Sequence, residues 1–395
     1  IDLEISTDED KNWSATFNDL AIIHPRSTLL QQYLLEAGSV TISSKNGKKP
    51  YNLSAHIPYR YPFLLKDNKP VEDLNISGKI TDKGIKATVN EDLQINYTDR
   101  LTVTSEGIGY NIPAIFKFIK ERPTSGSIDS HKKNKFSLSL EADSSYLFFG
   151  QDSRVLADRI HIEVADGRTL LHLEHGPGHI ILEIEGDQLS MEGKELNDTF
   201  MSSLIRGTDF QNGRMTMAAT GSFDQLSVLF KLNDTIIRNL KSLNNILAFL
   251  NTVPALITFS PPEYNTRGLP IRSAIVGMVI KEDVTTFESF EVKSSVLSMT
   301  GTGWFSVSKD QIDMDINLIT QAKANMNKIP LLGYIVVGNE KRPAITVKIS
   351  GDLHDPKVKH SVFRKVSTLP FAILFRTLTL PFHLVESMVD HAGKK

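Results

Sequence analysis

The feature that most constrains this chain is a pair of runs in which apolar and polar residues alternate without a break. In Gln311–Thr320, Ile312, Met314, Ile316 and Leu318 fall on one side, and Gln311, Asp313, Asp315 and Asn317 on the other. In Ala344–Ser350, Ile345, Val347 and Ile349 share one side, and Thr346, Lys348 and Ser350 the other. A period of two places these sets on opposite faces of a β-strand. Each strand therefore has one wet face and one apolar face. The apolar face covers either a packed core or an apolar ligand, and the period alone does not choose between them.

The same style extends upstream. Leu74, Ile76 and Ile80 alternate with polar residues, as do Ile85, Ala87 and Val89, then Leu93, Ile95 and Tyr97. Asp82-Lys-Gly84 and Asn90-Glu-Asp92 punctuate them as turns. From Phe136 the strands resume with Leu138 and Leu140, then Ile160 and Ile162, Leu171 and Leu173, Ile180, Leu182 and Ile184, and Leu189 and Met191. Their even spacing predicts a meander of antiparallel strands, since βαβ units would need a helix between each pair. Tyr59-Arg-Tyr-Pro-Phe63 reads as an aromatic loop packed on the sheet, with a binding edge as the alternative.

Five stretches carry helical spacing. Arg26–Glu36, Ile112–Ile119, Leu196–Ile205 and Gln321–Ile329 are short, and Asn197 or Asp198 is placed to cap the third. The longest runs from Phe223 to about Thr258, where Leu226, Leu229, Phe230, Ile236, Ile237, Leu240, Leu243, Ile246, Leu247 and Leu250 recur at three- and four-residue intervals. Glu121–Lys135 is polar and reads as an exposed loop. The expected segments are 1–125, 126–222, 223–260 (amphipathic helix and apolar connection), 261–356 and a Pro-interrupted amphipathic tail, 357–395.

Composition narrows the function classes. The 395-residue chain has a formal net charge of -2, which argues against a general nucleic-acid binder. It has no cysteine, so disulfides and thiolate ligands are excluded. No Gly-x-x-x-x-Gly-Lys-Ser/Thr, Gly-x-Ser-x-Gly or His-Glu-x-x-His occurs. His172, His175 and His179 with Glu174 form the single histidine cluster, read as exposed turn residues rather than a metal site. Asp313 and Asp315 are read as solvated. Neither a catalytic residue nor a cofactor is expected.

Several ordered motifs carry a resemblance. Gly301-Thr-Gly-Trp-Phe-Ser-Val-Ser308 is followed by Ile329-Pro-Leu-Leu-Gly-Tyr-Ile-Val-Val-Gly338 and by Val347-Lys-Ile-Ser-Gly-Asp-Leu-His-Asp-Pro-Lys-Val358. Leu369-Pro-Phe371 and Leu380-Pro-Phe382 come after them. In this order, from about Asn244 to Ser387, they resemble the C-terminal region of the AsmA-like family of Gram-negative envelope proteins, in its YhdP- and TamB-related branch. The resemblance implies a mainly β fold with helices. A long, curved antiparallel sheet would form an open apolar groove, with amphipathic helices toward the C-terminus. It also implies a periplasmic location, with an inner-membrane anchor upstream of the sequence in hand.

The activity implied is bridge-like phospholipid transfer between inner and outer membrane, supporting outer-membrane lipid homeostasis. The competing reading is a periplasmic scaffold for outer-membrane protein assembly by β-augmentation. The expected groove lining is Leu138, Leu140, Leu182, Ile312, Met314, Ile316, Leu318, Ile345, Val347 and Ile349. Phe363, Phe371, Leu374, Phe375, Leu378, Phe382 and Leu384 form an apolar stripe beside Arg364, Lys365 and Arg376. That tail suits contact with the inner leaflet of the outer membrane, or packing back on the sheet.

Overall fold

The computed structural model describes residues 2–27, 30–31, 35–115, 137–148, 154–165, 167–204, 209–238, 268–295, 297–306, 308–320, 344–352 and 356–360. The chain divides into two compact units, Ile1–Glu174 and His175–Lys395. Both are built almost wholly of β-strands.

In the first unit, β1 (Leu3–Thr7), β2 (Trp13–Phe17), β3 (Ser39–Lys45) and β4 (Lys48–Pro58) run back and forth as antiparallel neighbours. The small hairpin of β5 (Leu64–Lys66) and β6 (Lys69–Pro70) is set aside, and β4 pairs next with β7 (Asp73–Thr81). β8 (Gly84–Val89), β9 (Leu93–Tyr97) and β10 (Leu101–Glu106) follow in order. The turn between β8 and β9 holds Asn90 and Glu91 at positive φ, a conformation Asn tolerates well.

The meander then departs from the expected all-antiparallel pattern. β11 (Gly109–Asn111) continues the line of β10, and β12 (Leu138–Phe148) runs parallel to both. The chain must return to the start of β10 before β12 begins. The 112–137 connection is long enough for that, since parallel neighbours need a crossover of about a dozen residues or more. Asn111 accepts the Ala114 N–H and caps the helical residues 112–115 that open this connection. β13 (Arg154–Ala165) and β14 (Arg168–His175) restore the antiparallel order.

Among the described residues of the second unit every pairing is antiparallel. β15 (Gly178–Glu185) and β16 (Gln188–Leu196) form a hairpin. A short helix, α1 (Asp198–Leu204), and β17 (Asp209–Gln211) intervene before β18 (Arg214–Ser222) pairs with β16. β19 (Gln225–Arg238), β20 (Leu269–Lys281), β21 (Val284–Ser294), β22 (Leu297–Ser306), β23 (Gln311–Thr320), β24 (Ala344–Asp352) and β25 (Pro356–His360) then pair in sequence order. Among the described residues β15 and β25 do not pair with each other, nor do β1 and β14.

Three expectations are corrected or trimmed. Residues 225–238, assigned above to the long amphipathic helix, form β19. Leu226 and Val228 are buried while Ser227 lies outside, and Leu229, which the helical stripe needed inward, is 38% exposed. The period is two from Gln225 to Asn233, and pairing with β18 and β20 on either side enforces it. The tail expected from 357 begins later, because 357–360 belong to β25. Pro356 is the first residue of this strand, a position where proline is tolerated in a sheet. Within the described part of the first expected helix, Arg26–Glu36, only Arg26, the last residue of a 3-10 turn over His24–Arg26, and residues 30–31 are helical. The remaining 239–258 of the long helix, Gln321–Ile329 and the tail from 361 lie outside the described residues.

Two local expectations hold. α1 starts where expected, with Asn197 Oδ1 accepting the Phe200 N–H at 2.9 Å. Tyr59, Tyr61 and Phe63 pack on one another with ring centroids 5.3–6.4 Å apart, and the Tyr61 hydroxyl donates to Glu36.

Candidate functional site

The strand register of the second unit lines apolar side chains into rows that cross the sheet. The central row runs Leu182, Met191, Ala219, Val228, Met278, Phe287, Gly303, Met314, Ile349 and Val358, one residue from each strand in turn. Two residues along, a second row runs Ile180, Gly193, Met217, Phe230, Val276, Phe290, Gly301, Ile316 and Val347, ending at His360. On the other side a third runs from Ile184 and Leu189 through Leu226 and Ile280 to Phe305 and Ile312, interrupted by Gly221 and Thr285. Ten strands at a spacing of about 4.8 Å give rows about 43 Å long, and three rows are about 14 Å wide.

Each row exists because every strand repeats with period two and every hairpin keeps register. A slip of one residue would turn a strand's whole apolar set outward. The bulge between Phe287 and Phe290 shows how tightly this is held, since both phenylalanines remain on the apolar face across it. Phe287 lies 6.0 Å from Phe305 and 6.3 Å from Phe290 between ring centroids, an aromatic cluster spanning the three rows.

The opposite face carries the charged side chains, with Ile181, Leu229 and Ile275 exposed among them. Lys348 Nζ stands 3.1 Å from Asp313 and 3.7 Å from Asp315, so the two aspartates flank a lysine on the neighbouring strand. The hydrogen bond to Asp313 leads the causes that raise the Lys348 pKa. At the β20–β21 turn, Ser306 and Ser308 both donate to Asp283, which holds its carboxyl below the usual range.

The residues expected to line a groove divide between the units. Ile312, Met314, Ile316, Val347 and Ile349 are buried on the apolar face of the second unit, Leu318 is half-buried there, and Ile345 stands opposite Leu318 in the register. Leu182 is buried in the central row. Leu138 and Leu140 belong to the first unit. Leu140 sits there in a comparable row: Ile5, Ala15, Ile42, Leu53, Gly78, Ala87, Ile95, Val103, Leu140, Ile162 and Leu171. Phe363, Phe371, Leu374, Phe375, Leu378, Phe382 and Leu384 lie outside the described residues. The sequence reading missed Val228, Met217, Phe287 and Phe290, although the alternation Leu226-Ser-Val228-Leu-Phe230-Lys-Leu232 was there to be read.

His161 bonds to Glu141 and stands opposite His172, whose ring is 3.8 Å from Glu174. Among the described residues no three His, Asp or Glu side chains are grouped to hold a metal. Nor is any helix long and apolar enough to cross a membrane.

The class defined by this geometry is an open β-sheet protein whose units each carry apolar rows across many strands. Within that class, the family profile described as YhdP protein matches residues 130–358. The match covers more than half of the chain, and the chain belongs to the YhdP family. No curated protein and no solved structure matches it.

Proposed function

We propose that this chain carries phospholipid acyl chains along its apolar face, as part of a bridge for lipid between inner and outer membrane that supports outer-membrane lipid homeostasis. The observation behind the reading is the set of mainly apolar rows that cross the strands of the second unit, the central one spanning ten of them. An acyl chain in water costs about 0.8 kcal/mol per exposed CH2, so a continuous apolar track lowers the barrier to crossing an aqueous gap. Membership of the YhdP family supports an envelope role. The track makes and breaks no bond, so the reading needs no catalytic residue and no cofactor. It places the protein in the periplasm, anchored upstream in the inner membrane. The Phe363–Leu384 stripe would meet the inner leaflet of the outer membrane.

The test is native mass spectrometry of the protein purified from a bacterial envelope, with lipid extraction alongside. Phospholipid at a reproducible stoichiometry is expected, and it should be lost in Ile316→Asp and Val347→Lys, whose positions face each other across β23 and β24. Both sites are buried, so the half-buried Leu318→Glu serves as a milder variant, with circular dichroism confirming the fold. A well-folded variant that keeps its lipid at all three positions would remove the track assignment.

A second reading, the β-augmenting scaffold, is favoured by one feature. Among the described residues β1 pairs only with β2, and its Ile5 is 66% exposed. An outer strand of this kind is a template for another strand. A lipid-free protein that captures outer-membrane strand peptides would put this reading first.

A further inference from the structure

The face of the first unit that turns away from its apolar row carries a strip of uniform chemistry. On six neighbouring strands, β3, β4, β7, β8, β9 and β10, one row runs Ser43, Asn52, Lys79, Lys86, Asn96 and Thr102. Two residues along, a second runs Thr41, Ser54, Ser77, Thr88, Gln94 and Thr104. All are exposed or half-buried, and no Asp, Glu or apolar residue stands among them. At about 4.8 Å between strands the strip is about 24 Å long, and its two rows are about 7 Å apart.

Elsewhere on the two sheets the charges come in opposite pairs. One strand further along this face, His161 bonds to Glu141 and Arg159 stands 3.8 Å from Asp143. Lys66 meets Asp92, Lys194 meets Glu192, Lys293 meets Glu291 and Lys348 meets Asp313. Lys79 and Lys86 break that pattern. They are register partners on β7 and β8, and like charges directly opposite destabilise a sheet. Their partners on the far sides are Asn52 and Asn96, not carboxylates. Among the described residues neither lysine is in an ion pair, and the side chains of Asn52, Ser54, Ser77, Thr88, Gln94 and Asn96 bond to no other.

The strip thus keeps a like-charge pair unneutralised, inside a field of hydroxyl and carboxamide groups open to new hydrogen bonds. These properties exclude several kinds of partner. A protein interface is anchored by buried aromatic or aliphatic side chains and a membrane surface by an apolar edge, and the strip has neither. Nucleic acid selects a denser basic surface than two lysines. What suits the strip is a polymer rich in hydroxyls that carries occasional negative charge.

We propose that this strip binds a carboxylate-bearing polysaccharide, with Lys79 and Lys86 on a carboxylate and the flanking Ser, Thr, Asn and Gln side chains on sugar hydroxyls. Exposed contacts of this kind are individually weak and add up along a polymer that meets many of them. The site lies on the opposite face from the apolar rows and does not rest on the lipid-carrying reading, so either can fail without the other.

The experiment measures binding of the full chain to immobilised polygalacturonate by biolayer interferometry, with amylose as the uncharged control. Binding to polygalacturonate alone is expected, weakened by added salt. Lys79→Gln/Lys86→Gln should weaken it roughly tenfold, the equivalent of two exposed charge contacts, while Lys79→Arg/Lys86→Arg retains it. The Gln pair should also leave the urea midpoint unchanged or higher, because it removes a like-charge contact. Ser54→Ala/Ser77→Ala, in the second row, should weaken binding roughly threefold, about one net hydrogen bond. Lys231→Gln, at an exposed lysine of the second unit, should change nothing. A wild type that ignores polygalacturonate, or takes amylose equally well, overturns the proposal. So does a Gln pair that binds as the wild type does, or an equal loss in Lys231→Gln. Loss in the Lys variants with none in the Ser variants reduces the strip to a charge patch and overturns the polysaccharide assignment.

Discussion

Tyr110 is nearly fully buried, and its hydroxyl lies 2.6 Å from Ser105 Oγ. Burial pushes its pKa up to about 12, with the Ser105 hydrogen bond pulling the other way. A raised pKa in a group that is neutral when protonated means the unfolded chain gives up the proton first. Stability therefore falls as pH rises from about 10, the unfolded value, to about 12, and is unaffected below. Relative to Tyr110→Phe, which cannot ionise, the wild type should lose about 2 kcal/mol across that window, read from urea unfolding at stepped pH. Ile349 makes a simpler case, being wholly buried in the central row. Ile349→Ala should cost about 2–5 kcal/mol in the same assay. The apolar role of Ile349 was plain from alternation, whereas the burial of Tyr110 was not. Its short strand, β11, is recognisable only once β5 and β12 flank it.

At the scale of the element, α1 and β19 mark the two limits of local signals. α1 is capped by a residue whose chemistry announces it, since an Asn side chain accepts the N–H groups a helix start leaves unpaired. Asn197→Ala should cost about 1 kcal/mol by chemical denaturation, and less than about 0.3 would show the cap to be idle. β19 carried both periods in one stretch. Leu226, Leu229 and Phe230 satisfy a helical stripe, while Leu226, Val228 and Phe230 satisfy a strand. Two long partners on either side decide for the strand by supplying hydrogen bonds along its length. Asp234 at positive φ then lets Thr235 turn inward, where its hydroxyl donates to the Asn212 carbonyl at 3.0 Å.

At the scale of the whole molecule, the two faces of each sheet are distinct surfaces, and a charge has opposite consequences on them. Val347→Glu places a carboxylate in an apolar row, while Thr346→Glu, one residue away, places it on the exposed face beside Asn317. Bound lipid should be lost in the first and retained in the second, with both checked for strand content by circular dichroism. Equal loss in both would show the effect to be general destabilisation. Among the described residues β1 and β25 each pair with a single strand, and their sequences differ. β25 begins with Pro356 and contains Lys357 and Lys359, residues that discourage strand addition, whereas β1 has neither. Strand peptides are expected at β1, which cross-linking from Ile5→Cys would report.

The sequence by itself determined the fold class, the faces of most strands, the positions of the turns and the resemblance that the family match bears out. All of these depend on local chemistry: alternation sets the face, and Gly, Asn and Asp set the turns. What only the tertiary structure decided was which strand lies beside which. The parallel insertion of β12 along β10 and β11, the strand identity of 225–238 and the rows that run through Met217, Met278 and Phe287 are all products of register between segments. Register is fixed by hydrogen bonds to a neighbouring strand, and no single stretch of sequence contains its neighbour.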